Sequence, residues 1–449
     1  MIELFGTDGI RGAANKGVLT LDGLLRLSRA VATWLDRQET SRSVVIGRDP
    51  RLSGEMMEAV LAAGFASVGY DVVIAGVVPT PAVALLVQQS EAAMGIMVSA
   101  SHNPFSDNGI KLFKADGYKL TDEEEAEIET LYSASDRWIP GCDGVEIGRI
   151  KRDDHAGASY QQFCAAALPD GCTFEGLKVA LDASNGAMAV CAPELLRELG
   201  ADVHLIHDQP NGININERCG SQHTNDLAQL VRAVQADVGI AFDGDGDRCI
   251  AVDELGEELR GDQLLAICAL DFQRHGTLSG NQLVVTVMSN LGLHAAMREA
   301  GIHVNVCGVG DRNVMEEMSR CGASLGGEDS GHVIFHDFHT TGDGLLTALQ
   351  LLRIVKAGEK TLSERAAAVS IFPQTLLNVE VVNKPELSSL TALQQEVKRA
   401  EERLGDNGRI LIRYSGTEPL CRVMVEGADK RLIDTIAAEL ASVVKRETA

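Results

Sequence analysis

Short β-branched runs alternate with longer apolar–polar segments over most of the chain, and the alternation repeats three times. Within each repeat a strand-like run leads to a helix-like segment and then to a second strand-like run. The three stretches are VVIGRD to GFASVGYDVVIAG at 44–76, VALDAS to ELLRELGADVHLIH at 179–207, and VVTVMS to AAMREAGIHVNVCG at 284–308. Strands that alternate with helices of this length predict βαβ units in parallel or mixed sheets.

Each repeat then continues into one further short strand that ends on a polar turn. These segments are AAMGIMVSASHNP at 92–104, ADVGIAFDGDGDR at 236–248 and ASLGGEDSGH at 323–332. Polar side chains at strand ends usually lie where α/β sheets bind ligands. The repeat therefore predicts three similar α/β domains with mixed sheets, each of which supplies one loop from an equivalent sheet edge.

The last part of the chain has a different pattern, which predicts a small C-terminal α+β domain. Its predicted elements are a strand at 376–382, a helix at 386–404, strands at 409–413 and 421–426, and a helix at 429–445. Together these patterns predict four domains, at 1–153, 154–253, 254–368 and 369–449. Within the first, Thr121 and Glu124 have the spacing of a capping box that begins a helix over Asp122–Ser133.

Composition excludes several classes of protein. The 449 residues carry a formal net charge of −24, which disfavours nucleic acid and anionic membranes as partners. The ten cysteines are scattered without a C-x-x-C pair, as in a protein kept reduced. Without a signal-peptide pattern at the N-terminus or an apolar run of about 18 residues, the sequence predicts a cytoplasmic protein.

The stretch MVSASHNPF at 97–105 places Ser101 at the tip of a buried strand. A hydroxyl is a weak nucleophile by itself, but it can hold a phosphoryl group and pass it on. His102 and Asn103 are suited to positioning this hydroxyl, and Lys111 to acting as a general base or balancing phosphate charge. The alternative is an ordinary serine-rich turn that caps a helix.

The stretch DGDGDR at 243–248 is the strongest single motif. Its glycines allow three carboxylates to converge, those of Asp243, Asp245 and Asp247. Two such charges about 4 Å apart repel by about 4 kcal/mol at an effective dielectric of 20, so three require a cation. Oxygen ligands favour Mg²⁺ or Ca²⁺. An EF-hand calcium loop fits poorly because Arg248 stands where that loop needs glycine and the flanking segments are strands.

The stretch GGEDSGH at 326–332 combines short hydrogen-bonding side chains with a histidine. Glu328 and Ser330 are suited to sugar hydroxyls, and His332 to bonding a sugar or shuttling a proton. By itself, a glycine-rich turn with one histidine is more often structural.

The loop RYSGTEP at 413–419 has the composition of a phosphate cradle. Arg413, Ser415, Thr417 and the backbone N–H groups around Gly416 can bind phosphate oxygens, with Arg422 adding charge. A tight β-turn with an exposed arginine is the alternative.

Two further glycine-rich stretches contain an arginine. FGTDGIRG at 5–12 contains Arg11, and GVGDRN at 308–313 contains Arg312. Either arginine is suited to binding an anion, and either is equally consistent with a solvated turn.

In the order SASHNP, DGDGDR, GEDSGH and RYSGTEP, these motifs closely resemble those of the α-D-phosphohexomutase family over essentially the whole chain. The resemblance implies four domains around a central active-site cleft and a phosphoserine at position 101. It also implies Mg²⁺ held by that phosphoserine and the three aspartates, and a 1,6-bisphosphorylated sugar as intermediate and activator. The catalytic residues so expected are Ser101, Lys111, Arg11, His102, Arg248 and His332. The substrate-binding residues so expected are Glu328, Ser330, Arg413, Ser415, Gly416, Thr417 and Arg422.

Within the family, FGTDGIRG, GVGDR and SGTEP most resemble members that interconvert glucosamine 6-phosphate and glucosamine 1-phosphate for UDP-N-acetylglucosamine synthesis. Asp329 departs from the glutamine expected in many of these members, and its carboxylate would favour an ammonium-bearing sugar. Action on mannose or glucose phosphates is the alternative within the family. A phosphatase and a non-catalytic calcium or sugar-phosphate binding protein are alternatives from other classes. The expected partner is a small phosphosugar, and self-association as a homodimer stays open.

Overall fold

The computed structural model describes residues 4–6, 8–38, 40–358, 360–405, 408–415 and 419–448. The chain forms two compact units. The first comprises Met1–Met288 and Ile302–Ala368, and the second comprises Ser289–Gly301 and Val369–Ala449. Among the described residues, no helix combines the length and the apolar character that crossing a bilayer requires.

The first sheet of the first unit lies in the N-terminal third of the chain. Its elements are β1 (Ile10–Ala13), α1 (Leu21–Arg37), β2 (Ser43–Arg48), α2 (Gly54–Ala66), β3 (Asp71–Val77), α3 (Thr80–Gln89), β4 (Met94–Val98), β5 (Asp107–Lys114), α4 (Asp122–Ser133) and β6 (Ile150–Arg152). The strand order is β1-β5-β4-β2-β3-β6. Strands β4, β2, β3 and β6 are parallel, whereas β5 runs antiparallel to β4 and to β1.

Two further sheets follow along the chain. The elements of the second are α5 (Ala156–Ala166), β7 (Lys178–Asp182), α6 (Ala192–Glu198), β8 (Asp202–Ile206), α7 (Asn225–Val234), β9 (Val238–Phe242), β10 (Cys249–Val252), β11 (Glu258–Leu259) and α8 (Gly261–His275). The third region contains β12 (Gln282–Thr286), α9 (Leu291–Glu299), β13 (His303–Cys307), α10 (Asp311–Cys321), β14 (Leu325–Gly327), β15 (Val333–Phe335), α11 (Gly344–Ala357) and α12 (Leu362–Ala366). The strand orders are β11-β10-β9-β7-β8 and β13-β12-β14-β15.

The three sheets share one topology. Each contains three parallel strands that follow one another along the chain, β2–β4, β7–β9 or β12–β14, and an antiparallel strand then pairs with the last of them to form a hairpin: β4–β5, β9–β10 or β14–β15. The first sheet also has β1 and a fourth parallel strand, β6, and the second also has β11. The loops of these hairpins carry the three polar turns singled out in the sequence. The prediction of three similar α/β domains with mixed sheets is therefore confirmed, whereas the exact domain boundaries remain a prediction.

Apolar runs in the sequence account for the buried strands. All residues of β4 and of β9 are buried, as expected for central strands covered on both faces. In the first sheet, Ile46 and Ile96 pack into one core with side chains of α1 and α2. The predicted capping box is also present, because Thr121 Oγ accepts from Glu124 N and the Glu124 carboxylate accepts from Thr121 N.

The second unit contains a three-stranded antiparallel sheet and the helices that pack on it. Its elements, besides α9, are β16 (Gln374–Glu380), α13 (Thr391–Leu404), β17 (Gly408–Tyr414), β18 (Leu420–Gly427) and α14 (Lys430–Glu447). The strand order is β16-β18-β17. Buried Glu426 on β18 accepts from Leu291 N at 2.9 Å and from Arg409 Nε at 2.6 Å. The predicted C-terminal α+β arrangement is confirmed.

A buried histidine links elements of the first and third sheets. His339 Nδ1 accepts from Thr340 N at 2.8 Å, and its Nε2 donates to the carbonyl of Pro81 at 2.9 Å. The edge of the imidazole packs against Phe163, with 5.0 Å between ring centroids. In these contacts one ring nitrogen donates and the other accepts, as only a neutral imidazole can do. Burial lowers the pKa of His339 to about 4.

We expect His339 to make the first unit less stable as the pH falls from about 6.5 to about 4. In this range the unfolded state binds a proton that the folded state excludes, so stability rises with pH. His339→Gln should remove roughly 2 kcal/mol of the difference in unfolding free energy between about pH 7 and pH 5. Urea unfolding at the two pH values measures it. His303→Gln, at an exposed position, is the control. If the unfolding free energy of His339→Gln depended on pH as that of the wild type does, His339 would not be the group responsible.

Candidate active site

Ser101 lies in the loop between β4 and β5, where its side chain is completely buried. Its backbone has a φ of 52°, in the left-handed region that residues with a side chain rarely adopt. Its hydroxyl donates to Asp243 Oδ2 at 2.5 Å, across 142 residues of sequence. The loops of the first and second hairpins therefore meet at the serine that the sequence singles out.

The loop between β9 and β10 brings three carboxylates together. One oxygen from each of Asp243, Asp245 and Asp247 lies within 4.8 Å of the other two, and all three residues are buried. Gly244 allows the close approach, because a Cβ there would lie 2.6 Å from the carbonyl oxygen of Ser101. Gly246 has a φ of 71°, which permits the second turn of the loop.

Lys111 on β5 contacts two carboxylates of this triad. Its Nζ lies 2.8 Å from Asp245 Oδ2 and 2.7 Å from Asp247 Oδ2. Against the effect of burial, these carboxylates raise the pKa of Lys111 well above its ordinary value. Burial, with Asp247 and Asp245, raises the pKa of Asp243 well above its usual range. One lysine therefore does not balance three buried carboxylates.

The triad fits a divalent cation. Among the described residues, Asp245 Oδ1 and Asp247 Oδ1 are buried without a hydrogen-bond partner. Buried carboxylate oxygens are costly when they are left unpaired. Three hard oxygen ligands with coordination positions left for other groups are the donor set of a magnesium-type site. The triad can therefore hold a metal ion.

Cationic and polar groups surround the hydroxyl of Ser101. His102 Nδ1 lies 3.5 Å from Ser101 Oγ and 3.0 Å from Arg248 Nη1. Burial, with Arg248 and Arg11, lowers the pKa of His102 to about 4, so the imidazole is neutral at pH 7. Arg11 on β1 forms an ion pair with Asp8. The Nε atoms of Arg11 and Arg248 are buried without a hydrogen-bond partner in the described part of the chain.

The loop between β14 and β15 supplies the third group of predicted residues. Glu328 Oε1 accepts from Gly310 N at 3.0 Å. The Ser330 hydroxyl is buried and has no partner among the described residues. His332 Nδ1 lies 3.8 Å from Asp247 Oδ1, and its Nε2 lies 3.8 Å from Asp311 Oδ2. The loops of all three hairpins therefore contribute to one region of the first unit.

The second unit contains its own cationic group. Arg413 on β17 and Arg422 on β18 are directly opposed in the antiparallel register. Like charges in opposed positions destabilise a sheet, and burial with the Arg422 charge lowers the pKa of Arg413. The carbonyl of neighbouring Ser415 accepts from Lys384 Nζ at 2.7 Å. Such a group fits an anion. Gly416 and Thr417, also predicted here, lie outside the described residues.

Family models match the four parts of the chain in order. They describe domains I, II and III and the C-terminal domain of phosphoglucomutase/phosphomannomutase, and they match residues 3–137, 161–256, 260–371 and 376–443. The chain belongs to the phosphoglucomutase/phosphomannomutase family. This confirms the resemblance on which the four motifs were interpreted.

Similar proteins agree with this family membership. Phosphoglucosamine mutases from Syntrophotalea carbinolica and Desulforudis audaxviator are 48% and 49% identical, over 99% of this chain and 97% and 98% of theirs. A Burkholderia thailandensis crystal structure from the family superposes with a TM-score of 0.82 at 25% identity, covering 100% of this chain and 98% of that one. Aspergillus fumigatus N-acetylphosphoglucosamine mutase, solved with GlcNAc-6P and magnesium, shares the fold: TM-score 0.71, 18% identity, and 100% and 96% coverage.

Three charged residues of this family member belong to the site although the sequence did not single them out. Lys119 Nζ forms ion pairs with Asp8 and with Asp311, and Asp8 also contacts Lys111 Nζ at 3.4 Å. Asp8 lies within FGTDGIRG and Asp311 within GVGDRN, two stretches in which the sequence predicts a role for the arginine only. Arg312 forms ion pairs with Asp122 and Glu125 on α4, a contact that the sequence did not predict.

Asp329 does not present an isolated charge in the third loop. Its Oδ2 lies 3.4 Å from Arg260 Nε, and its backbone carbonyl accepts from Gly261 N at 3.0 Å. Burial raises the pKa of Asp329, while Arg260 acts in the opposite direction. An arginine that precedes α8 therefore compensates the carboxylate that departs from the expected glutamine.

Substitution Asp245→Asn should weaken binding of a divalent cation by ~10-fold or more, because it removes one of three anionic ligands. Titration with Mn²⁺, followed by the loss of the free-ion electron paramagnetic resonance signal, measures this directly. Asp170→Asn, at an exposed position, changes the total charge by the same amount and should bind Mn²⁺ as the wild type does. Equal affinities in the two variants would contradict the metal assignment.

Proposed function

We propose that this enzyme interconverts glucosamine 6-phosphate and glucosamine 1-phosphate, as an intramolecular phosphotransferase. The observation that supports the proposal is the hydrogen bond from the Ser101 hydroxyl to Asp243, a member of the buried carboxylate triad. The glucosamine substrate is supported by curated relatives of nearly equal length that are named phosphoglucosamine mutase.

The ion proposed for the triad is Mg²⁺, held by Asp243, Asp245, Asp247 and the phosphoryl oxygens of phosphorylated Ser101. Mg²⁺ prefers hard oxygen ligands and usually shares its coordination with substrate phosphates. When bound, the ion would neutralise charge on the phosphoryl oxygens. A fold neighbour solved with GlcNAc-6P and magnesium contains a phosphosugar and an ion of the same classes.

The reaction is proposed to proceed in two phosphoryl transfers. In the first, the P–Oγ bond of phosphoserine 101 breaks and a P–O bond forms to the free hydroxyl of the sugar monophosphate, which loses its proton. In the second, the 1,6-bisphosphate returns its other phosphoryl group to Ser101. Both transfers need positioning and charge stabilisation more than covalent chemistry from the protein. Arg11 and Arg248 supply positive charge beside the nucleophile.

Lys111 and His332 are the two candidates for handling the proton of the sugar hydroxyl. Contacts of 2.7–2.8 Å between Lys111 Nζ and two aspartates favour charge balancing as the role of the lysine. His332 lies between Asp247 and Asp311, at 3.8 Å from each, without a hydrogen bond to either. An imidazole can both accept and donate a proton. Against the effect of burial, Asp247, Asp311 and Glu328 raise the pKa of His332 and so strengthen it as a base, which makes the histidine the better candidate for transfer.

The remaining predicted residues are proposed to recognise the substrate. Glu328 and Ser330 would bind sugar hydroxyls, and the Ser330 hydroxyl, which has no partner in the described part of the chain, supports this role. The phosphate that is not being transferred would bind to Arg413, Ser415, Gly416, Thr417 and Arg422. The opposed pair of Arg413 and Arg422 supports that part of the proposal.

Rates measured side by side on glucosamine, glucose and mannose 6-phosphates test the proposed substrate. We expect the highest kcat/KM on glucosamine 6-phosphate. A higher value on glucose or mannose phosphate would replace the proposal with its alternative within the family. Release of inorganic phosphate without isomerisation would indicate a phosphatase, and Ca²⁺ binding without turnover or phosphoserine would indicate a binding protein.

Removal of the nucleophile should abolish the reaction. Ser101→Ala should lower kcat by roughly a thousandfold or more, because phosphoryl transfer then lacks its carrier. Mass spectrometry should detect a phosphoryl group on Ser101 in the wild type and none on the variant. Ser106→Ala, at an exposed position of the same loop, is the control. Wild-type turnover by Ser101→Ala would rule out the phosphoserine mechanism.

Loss of one arginine of the C-terminal pair should weaken substrate binding. Arg413→Met should raise KM for glucosamine 6-phosphate by ~10-fold or more, because a hydrogen bond to a charged group contributes about 1.5–3 kcal/mol. Steady-state kinetics measure the change. Exposed Arg399→Met on α13 provides the control for loss of a positive charge. An unchanged KM in Arg413→Met would remove this residue from the phosphate site.

A further inference from the structure

Arg51 is a fully buried arginine in the turn that follows β2. Its guanidinium donates to three carbonyl oxygens of the loop that contains Ser101 and to that of Asp107, the first residue of β5. Nη2 donates to Ser101 O at 2.8 Å and to Asn103 O at 2.9 Å, while Nη1 donates to Pro104 O and to Asp107 O. The side chain therefore binds the nucleophile loop along its backbone and does not contact the hydroxyl itself.

Asn216, in the second sheet's region, binds the same loop from another direction. Its Nδ2 donates to Ser101 O at 2.8 Å and to Asn103 O at 3.1 Å. These are the two carbonyls that Arg51 Nη2 also binds. A carbonyl oxygen has two lone pairs, so both can be used at once. The carbonyl group of the nucleophile is thus held by side chains from two parts of the fold.

The amide of Ser101 is held as well. Ser101 N donates to Ser99 Oγ at 2.8 Å, and the Ser99 hydroxyl donates to Asp49 Oδ2 at 2.6 Å. Asp49 also accepts from Arg51 Nε at 2.9 Å, so the buried guanidinium is paired with a carboxylate. One connected network therefore fixes the backbone on both sides of Ser101.

Hydrogen bonds also hold the segment that contains Asn216. Its backbone N donates to Ser184 O at 2.9 Å. At the base of this segment, Asp182 accepts from Ser184 N at 2.8 Å and from Gly220 N at 2.9 Å, and it faces His207 Nδ1 at 3.1 Å. The Asn216 side chain that binds the Ser101 loop thus belongs to a segment whose backbone is itself held by hydrogen bonds.

These contacts matter because of the conformation of Ser101. Its φ of 52° is unfavourable for a residue with a side chain, so the backbone would relax unless its neighbours held it. In the held conformation its Oγ lies 2.5 Å from Asp243 Oδ2. Relaxation of the loop would move the reacting oxygen away from the triad.

We propose that Arg51 and Asn216 are positioning residues, which hold Ser101 in a left-handed conformation so that its phosphoryl group lies in line for transfer. Neither residue contacts the serine hydroxyl or the carboxylates of the triad by a hydrogen bond. Their effect is therefore on the transfer step, and not on binding of the sugar phosphate or on binding of the metal ion by the three aspartates. The proposal rests on the proposed phosphoserine function of Ser101.

The test uses Asn216→Ala and Arg51→Lys in the full-length enzyme. Each should lower kcat by ~10- to 100-fold, because displacement of a reacting group by about 1 Å costs a rate factor of this size. KM for glucosamine 6-phosphate and the Mn²⁺ affinity of the unphosphorylated protein should stay at wild-type values, and Asn216→Ala should unfold close to the wild-type urea midpoint. Exposed Gln209→Ala, in the same segment as Asn216, should retain the wild-type kcat.

Hydrogen exchange provides a measurement that does not depend on activity. The peptide spanning 97–106 should exchange at least several-fold faster in Asn216→Ala than in Gln209→Ala. If Arg51→Lys does not fold, Asn216→Ala carries the test alone. A wild-type kcat, a loss confined to KM, or unchanged exchange in Asn216→Ala would each overturn the proposal. Failure of the proposed phosphoserine function would be seen separately: the wild-type enzyme would be unphosphorylated and inactive. Asn216→Ala would still increase the rate of hydrogen exchange in peptide 97–106.

Discussion

Mutual repulsion among three buried carboxylates is the constraint on which the site depends. Asp243, Asp245 and Asp247 lie within 4.8 Å of one another and away from bulk water. At an effective dielectric of 20, each pair at about 4 Å repels by about 4 kcal/mol, so the loop is stable only where cations meet it. Lys111 supplies one positive charge from the neighbouring sheet. The carboxylates therefore favour the docking of the two sheets and still leave capacity for a divalent ion.

The repeated hairpin explains how one architecture brings different chemistry to one place. In each sheet an antiparallel strand returns beside the third parallel strand, so the connecting loop lies at the same edge. The return strand also contributes: Lys111 on β5 pairs in register with Met97 on β4, so register fixes it close to the loop of Ser101. The proposed nucleophile, the carboxylate triad and the loop proposed to bind the sugar thus occupy equivalent positions in three sheets.

The sequence predicts the parts of this arrangement that depend on local pattern. β-branched runs and their spacing indicate the three sheets, and dense polar motifs indicate Ser101 and the aspartates. Asp8, Lys119 and Asp311 escape prediction because each acts through contacts between segments more than a hundred residues apart. Neighbours in one stretch also have different roles that the pattern does not separate. Asp311 faces Lys119, whereas Arg312 binds α4. The conformation of Ser101 likewise depends on groups distant in sequence.

Asp329 shows why a motif read residue by residue is a weak guide to the sugar. Taken alone, a carboxylate between Glu328 and Ser330 suggests attraction to an ammonium group. In the structure Arg260 Nε lies 3.4 Å from that carboxylate, and a paired charge attracts a third group far less than an isolated one. Under the proposed function, selection of the sugar then depends more on the groups beside it, where the Ser330 hydroxyl is buried without a partner among the described residues. A buried hydroxyl discriminates strongly, because a ligand that leaves it unpaired forfeits the hydrogen bond that offsets its desolvation.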